Sequence, residues 1–365
     1  MSRRHQGFCC GALGAADFAA AFAGLEAARH VLAAVSGGPD STALLGGLAE
    51  WTRDRGGPAL SVATVDHGLR PGSRPEAEAV GAFARSFALS HTILTWEGRK
   101  GQPVSQAAAR DARYGLLLAH ARAVGATHLL TAHTLDDQAE TLMLRLAAGS
   151  GLSGLGGMRR EVARGDVLHA RPFLHLPKAR LVATCRERSW PFVEDPSNAH
   201  ARFARVRWRQ TLMPLLASEG LDAVRLGRLG ERLARADEAL DQAADSAFSR
   251  FARHGRAGMI LDFAALSLEA EEIALRVLQR ALAPPGPASR HLRLERLEEC
   301  LSVLLQARAA GTSVRRTIAG RLLTLDANGM LTISVEGTRR RGRGGAVTQI
   351  DIPDGPSLGR EPGRA

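Results

Sequence analysis

Val31-Leu-Ala-Ala-Val-Ser-Gly-Gly-Pro-Asp-Ser-Thr-Ala-Leu-Leu45 passes from a short apolar run through a glycine turn into a helical pattern. That order reads as strand, phosphate loop, helix. Ser36, Gly37 and Gly38 permit a tight turn that gathers backbone N–H groups, and Pro39 suits the first position of a helix. Asp40, Ser41 and Thr42 then fall where the first helical N–H groups lack partners, so an anion fits there. No lysine occurs between Ser36 and Glu50, which separates this loop from the GxxxxGK[ST] nucleotide loop. An aspartate beside phosphates makes sense when Mg²⁺ lies between them; the alternative is an ordinary strand-to-helix turn capped by Asp or Ser.

Around this loop the chain has room for two domains, with 365 residues and 45% hydrophobic content. A formal charge of +11 favours phosphate-rich partners, although a bias in coding composition towards Ala, Gly and Arg would raise it as well. Lys100 and Lys178 are the only lysines among 48 basic residues. Cys9, Cys10, Cys185 and Cys300 form no CxxC pair and no zinc spacing, which points to a reducing compartment. No apolar run is long enough to span a membrane, so a cytoplasmic location without a membrane partner is expected.

Leu60 to Arg70 reads as a second buried strand with Asp66 and His67 at its carboxyl end, on the rim where ligands of open parallel sheets bind. Asp66 there takes a ribose hydroxyl, helps hold metal, or caps a turn. Residues 103–124 form a helix that puts Arg110, Arg113 and Tyr114 on one face, suited to phosphate or a nucleobase; surface arginines tied to Asp111 are the plainer reading. Thr127 to Thr141 is a strand, a polar turn and a helix in which His133, Asp136, Asp137 and Glu140 crowd into eight positions. An N-cap accounts for one aspartate and not for the cluster, whereas a cation between the carboxylates accounts for both. Glu140, on the face of Asp136 and Asp137, suits a cationic substrate or a general base. The glycine-rich Gly149 to Met158 loop suggests close approach to a ligand or a lid. Arg202 to Gln210 is a basic amphipathic segment in which Arg202, Arg205, Arg207 and Arg209 are candidates for RNA phosphates.

Pro214 closes this region, and long helical patterns follow over 221–253, 268–282 and 292–307. Arg321 to Leu325 and Met330 to Val335, joined by Asp-Ala-Asn-Gly, read as a hairpin. The expected organisation is a lead-in at 1–28, an α/β domain with a doubly wound, mostly parallel sheet at 29–215, a helical domain at 216–310, a small β hairpin at 311–340 and a flexible basic tail at 341–365.

A loop for Mg²⁺-polyphosphate without a lysine clamp fits attack at the α-phosphate, with pyrophosphate as leaving group, better than γ-phosphoryl transfer. Ser36-Gly-Gly-Pro-Asp-Ser41 resembles the signature of the PP-loop ATP pyrophosphatases. The ordered series Asp66-His-Gly-Leu-Arg70, Ala109 to Tyr114, Ala132 to Thr141, Gly149 to Met158 and Glu194-Asp-Pro-Ser-Asn198 resembles the tRNA(Ile)-lysidine synthases among them. His200 and Val206 depart from that pattern, which usually has Asp and Asn at these places. The resemblance implies ATP and Mg²⁺ as cofactors, a tRNA(Ile) with a CAU anticodon and free L-lysine as substrates, and allows a homodimer. By it, Ser36, Gly37, Gly38, Pro39, Asp40 and Ser41 hold the polyphosphate with Asp66 and His67 nearby, and Asp40 and Asp137 share Mg²⁺. Asp136 or Glu140 orients lysine, His133 stabilises phosphate or shuttles a proton, and Arg110, Arg113 and Arg205 steady the adenylate or the RNA. The rivals are tRNA thiolation, which calls for cysteine pairs or a cluster; ammonia-fed amidation, which calls for a glutaminase partner; and a non-catalytic RNA-binding module, which has no use for four acidic residues at one rim.

Overall fold

A computed structural model describes residues 11–68, 72–96, 106–193, 204–256, 258–283 and 293–336. Contacts divide the chain into two compact units, Met1–Arg235 and Ala236–Ala365. Among the described residues no helix is long and apolar enough to cross a membrane.

In the first unit, β1 (His30–Ala34), β2 (Ala59–Asp66), β3 (Ser90–Thr95), β4 (His128–Leu130), β5 (Glu161–Arg164) and β6 (Val167–Ala170) make a six-stranded sheet in the order β3-β2-β1-β4-β6-β5. Every pairing is parallel except that of β5 with β6, which forms an antiparallel edge. Helices α1 (Ala15–Ala21), α2 (Pro39–Arg55), α3 (Ser73–Ser86), α4 (Gln106–Ala123), α5 (Leu135–Ala147), α6 (Leu152–Leu155) and α7 (Lys178–Glu187) connect or cover these strands. Both faces of the sheet's inner strands are buried, as parallel strands require. Along β1, Val31 and Ala33 enter the core shared with α1, α2, α3 and α7, while Leu32 enters the opposite core with Leu117 and Ala121 of α4. Strand order reverses between β1 and β4, so the loops leaving their carboxyl ends flank the crevice where such sheets bind ligands.

The lead-in belongs to this unit's core. Phe18 and Phe22 of α1 are buried, and a Cβ at Gly47 of α2 would lie 2.2 Å from the Phe18 ring, so only glycine admits that crossing. Arg180 of α7 holds Asp17 through Nη2 at 2.8 Å. The basic amphipathic segment becomes α8 (Ala204–Arg207), a π-helical turn at Trp208–Leu212 and α9 (Met213–Ser218), so helix continues past Pro214. The Gly149 to Met158 loop contains α6 and is tied to α5: Gln138 exchanges two hydrogen bonds with Met158, and Arg145 Nη1 donates to the carbonyls of Gly154 and Gly157.

Helix α10 (Ala223–Phe251) carries the division between the units. The second unit contains β7 (Ala252–Gly255), β8 (Gly258–Asp262), α11 (Phe263–Leu266), α12 (Glu271–Leu282), α13 (Leu294–Ala309), β9 (Val314–Ile318), β10 (Arg321–Leu325) and β11 (Met330–Val335). The expected hairpin is present as β10 and β11, but within a five-stranded antiparallel sheet ordered β7-β8-β11-β10-β9. Leu261, Leu323, Leu331 and Ile333 of that sheet pack with Leu278 of α12 and Leu301 and Leu304 of α13.

Candidate active site

After β1 the Val35 N–H still donates to Ala63 O, and the chain then turns at Gly37, whose φ of +87° is a left-handed conformation that favours glycine. Ser41 knots the turn: its hydroxyl donates to Gly38 O at 3.0 Å and accepts from the Ser36 N–H at 3.1 Å. Further supports come from the Val193 N–H, which donates to Gly37 O, and the Cys185 thiol, which donates to Pro39 O. Gly38 is the N-cap of α2 and has no capping side chain, so the first N–H groups of that helix remain available to an external anion.

Four carboxylates and three cations meet beside this loop. Asp40, in the first turn of α2, accepts from Lys178 Nζ at 2.6 Å through Oδ2, whereas its buried Oδ1 has no partner among the described residues. Burial raises the Asp40 pKa; Lys178 works against that rise, and the charges of Asp137 and Asp136 add to it. Asp136 caps α7 by accepting the Lys178 N–H at 2.8 Å, so one residue joins Asp136 through its backbone to Asp40 through its side chain.

Asp137 completes a capping box on α5. Its Oδ2 accepts from the N–H of Thr134 at 2.9 Å, and its own N–H donates back to Thr134 Oγ1 at 3.3 Å. Asp137 Oδ1 accepts from Arg205 Nη2 at 3.1 Å. Although burial raises the Asp137 pKa, the Arg205 charge and the Thr134 hydrogen bonds prevail and hold it low. Glu140, one turn on and with its side chain 3% exposed, accepts from Arg209 Nε and Nη2 at 2.6 and 3.0 Å and from Arg205 Nε at 2.7 Å. Arg205 and Arg209 are thus turned inward, onto the acidic cluster. Arg207 stands on the exposed side of the same helix, and Arg202 lies outside the described residues, as does Glu194 to Asn198.

At the end of β4, His133 is pushed down to about 3 by burial, with Asp137 opposing and Arg171, Arg110 and Arg113 reinforcing the shift, so its imidazole is neutral at pH 7. Arg110 and Arg113 lie over the ring of Tyr114 at 5.1 and 5.3 Å and add positive potential at His133 from α4. Asp66 braces the turn after β2: its Oδ1 accepts from Ser73 Oγ at 2.6 Å and from the Gly68 N–H at 3.0 Å. The neighbouring His67 Nδ1 is buried without a partner among the described residues.

With this geometry in place, comparison with known proteins is specific. Residues 15–216 match the PP-loop domain family model, which covers both rims of the crevice. The chain is 54% identical to a tRNA(Ile)-lysidine synthase of Methylobacterium nodulans over 326 residues, which is 87% of this chain and 94% of the relative. The chain belongs to the tRNA(Ile)-lysidine synthase family. A second member of that family, from Methylobacterium sp., is 53% identical over 86% of this chain and 91% of its own. Among solved structures, the U34-tRNA thiolase of Methanococcus maripaludis with its 4Fe-4S cluster aligns with a TM-score of 0.52 at 16% identity, over 60% of this chain and 77% of that one, a likeness of fold alone. Membership makes the chain an ATP-dependent ligase. Of the motifs read in the sequence, Asp40, His133, Asp136, Asp137 and Glu140 come together at the β1/β4 crevice. Lys178 and Arg171 join them from outside those motifs. Lys178 had one signal in the sequence, its survival as one of two lysines in an arginine-dominated chain; Arg171 had none.

Proposed function

We propose that this chain joins free L-lysine to C2 of the wobble cytidine of a tRNA(Ile) with a CAU anticodon. In the first step the C2 oxygen attacks the α-phosphorus of ATP and pyrophosphate leaves. In the second the lysine amine attacks C2, the C2–O bond breaks, AMP leaves and the amine gives up a proton. The observation that carries this reading is Asp40: a carboxylate at the mouth of an anion loop, with one buried oxygen lacking a partner among the described residues and a pKa raised by burial.

That orphaned oxygen fits Mg²⁺, which binds through one or two carboxylates plus phosphates and water. Asp40 would supply the first protein oxygen and Asp137 the second, once Arg205 yields its Oδ1. When bound, the ion neutralises the polyphosphate and favours departure of pyrophosphate. The first N–H groups of α2 would hold the phosphates, and Lys178, already at the Asp40 carboxylate, would take a phosphate oxygen as the ion replaces it there. The second oxygen of half-buried Asp136 has no partner among the described residues and suits the lysine ammonium, whereas Glu140 would have to release an arginine first. Thiolation is less well supported by this donor set: burial pushes the Cys185 thiol up to about 12, keeping it protonated, and it donates to Pro39 O.

The test is incubation of the purified chain with unmodified tRNA(Ile), Mg-ATP and labelled lysine. Label in the tRNA, with one pyrophosphate and one AMP per lysine, is expected. Lysine left free while a sulfur donor is incorporated would reject the reading.

A further inference from the structure

Behind His133 runs a line of polar side chains that joins β4 to β6. Thr131 Oγ1 lies 2.9 Å from His133 Nδ1 and 2.9 Å from His169 Nε2, and His169 Nδ1 lies 3.2 Å from Arg171 Nη2. Three of these residues are enclosed, with Thr131 8%, His169 0% and Arg171 5% exposed. The order of the chain follows from the fold: Leu129 pairs with His169 and Leu130 with Ala170, so Thr131 emerges between the two histidines.

The protons along this line can be assigned from its far end. A guanidinium only donates, so His169 Nδ1 must accept from Arg171. A neutral imidazole has one ring proton, and that of His169 is therefore on Nε2, donated to Thr131 Oγ1. Burial and the Arg171 charge push His169 down to about 3, consistent with the neutral ring. The Thr131 oxygen could accept twice, but if His133 Nδ1–H donated to it as well, the buried Thr131 O–H would have no acceptor among the described residues; the hydroxyl therefore gives its single proton to His133 Nδ1. Run the other way, the line would set a His169 N–H against an Arg171 N–H and leave a buried donor unsatisfied, which costs about 1–3 kcal/mol.

We infer that Arg171, His169 and Thr131 are positioning residues that fix His133 as the Nε2–H tautomer, so that it meets the nucleotide as a hydrogen-bond donor. The Nε2 of His133 has no partner among the described residues and is not among the buried orphaned atoms, so it is not sealed from solvent and remains available to a ligand. With the proton there it can donate to a phosphate oxygen; with the proton on Nδ1 it would present a lone pair to the same oxygen and repel it. The relay sets the sign of that contact. His133 is then a fixed donor and gives no proton away. Tyr114 packs against His169 at 5.2 Å between ring centres with the rings tilted by 53°, and is itself covered by Arg110 and Arg113, so α4 holds the relay from the side. The donor role rests on the adenylation reading above, but the tautomer does not.

The test begins with ¹⁵N-histidine-labelled wild-type protein at pH 7, using long-range ¹H–¹⁵N correlations assigned with His133→Gln. The expected result is a ring proton on Nε2 of His133 with Nδ1 unprotonated. A proton on Nδ1, an imidazolium or an exchanging mixture would overturn the proposal. Kinetics supply the second arm. Thr131→Val keeps the shape and removes the hydroxyl, and should lower kcat for pyrophosphate release about 10- to 100-fold, with KM for lysine unchanged. Thr131→Ser should restore kcat to within about twofold of wild type, because the relay is restored. Equal turnover of the Val and Ser variants would also overturn it. Since the tautomer is read without substrate, it stands or falls separately from lysine incorporation.

Discussion

Two clusters of arginines and carboxylates can be compared within this chain, and they are built to opposite ends. In the first unit, Arg205 and Arg209 close on Asp137 and Glu140 while Asp40 nearby keeps an orphaned buried oxygen and a raised pKa. In the second unit, Arg276, 6% exposed, reaches Asp237, Asp241 and Glu272 at 2.9, 2.8 and 2.7 Å, and Arg280 adds Asp241 and Asp245 at 2.9 and 2.7 Å. There burial works against the charge of Asp241, but hydrogen bonds from Arg280 and Arg276 prevail and hold its pKa down. Ion pairing alone therefore does not mark a site. What separates the clusters is a carboxylate left short of partners in the first turn of α2, the kind of unsatisfied group that marks a ligand site.

The largest effect should come from breaking the first cluster at its weak point. Asp40→Asn is expected to reduce pyrophosphate release about 10²- to 10³-fold, with little change in the urea midpoint. The mirror experiment is Arg276→Met, which leaves Asp237 charged, buried and without this partner, and should cost about 3–5 kcal/mol of stability while turnover per folded molecule is unchanged. Urea unfolding and pyrophosphate release on the same two variants would erase the contrast if both variants moved both readouts.

Acid sharpens the same comparison. Because the folded pKa of Asp241 is lowered, its ion pairs stabilise the protein above the ordinary carboxylate value, and that contribution is lost as pH falls through the depressed folded value. The stability gap between wild type and Asp241→Asn should therefore be full near neutrality and close below about pH 4. A gap that persists at the lowest pH would mean that Asp241 acts through packing instead.

The residues of these clusters also show what a sequence can convey. The Ser36 to Ser41 loop and the strand ends at Asp66 and His133 were legible because glycine, proline and capping residues act on their immediate neighbours. So was the hairpin of β10 and β11, with Asp-Ala-Asn-Gly between two alternating strands. The edge strands of its sheet were not: β7 is Ala-Arg-His-Gly and β9 is Val-Arg-Arg-Thr-Ile, with too few apolar residues to signal a strand before the sheet is assembled. The inward turn of Arg205 and Arg209 depends on Glu140, 65 and 69 positions away, and Lys178 meets Asp40 across 138. Pairings at such separations leave no local pattern. A basic segment destined for its own acidic cluster has the same composition as one destined for RNA.

The smallest expected effect isolates function from stability most cleanly, because it uses two side-chain helix caps, one in each unit. Thr134 Oγ1 accepts from the Asp137 N–H at the start of α5, and Asp262 Oδ1 accepts from the Ala265 N–H at the start of α11. Alanine at either position removes one cap, and each should lower stability by about 1 kcal/mol. Only Thr134 also acts on the site, because its hydroxyl donates to Asp137 Oδ2 at 3.0 Å and helps to keep that carboxylate ionised and aimed while Arg205 holds the other oxygen. Thr134→Ala should therefore slow pyrophosphate release several-fold, whereas Asp262→Ala should leave it unchanged at equal loss of stability. If the two variants slowed release alike, the cap at α5 would be structural only, and the orienting of Asp137 would rest with Arg205 and the Thr134 backbone.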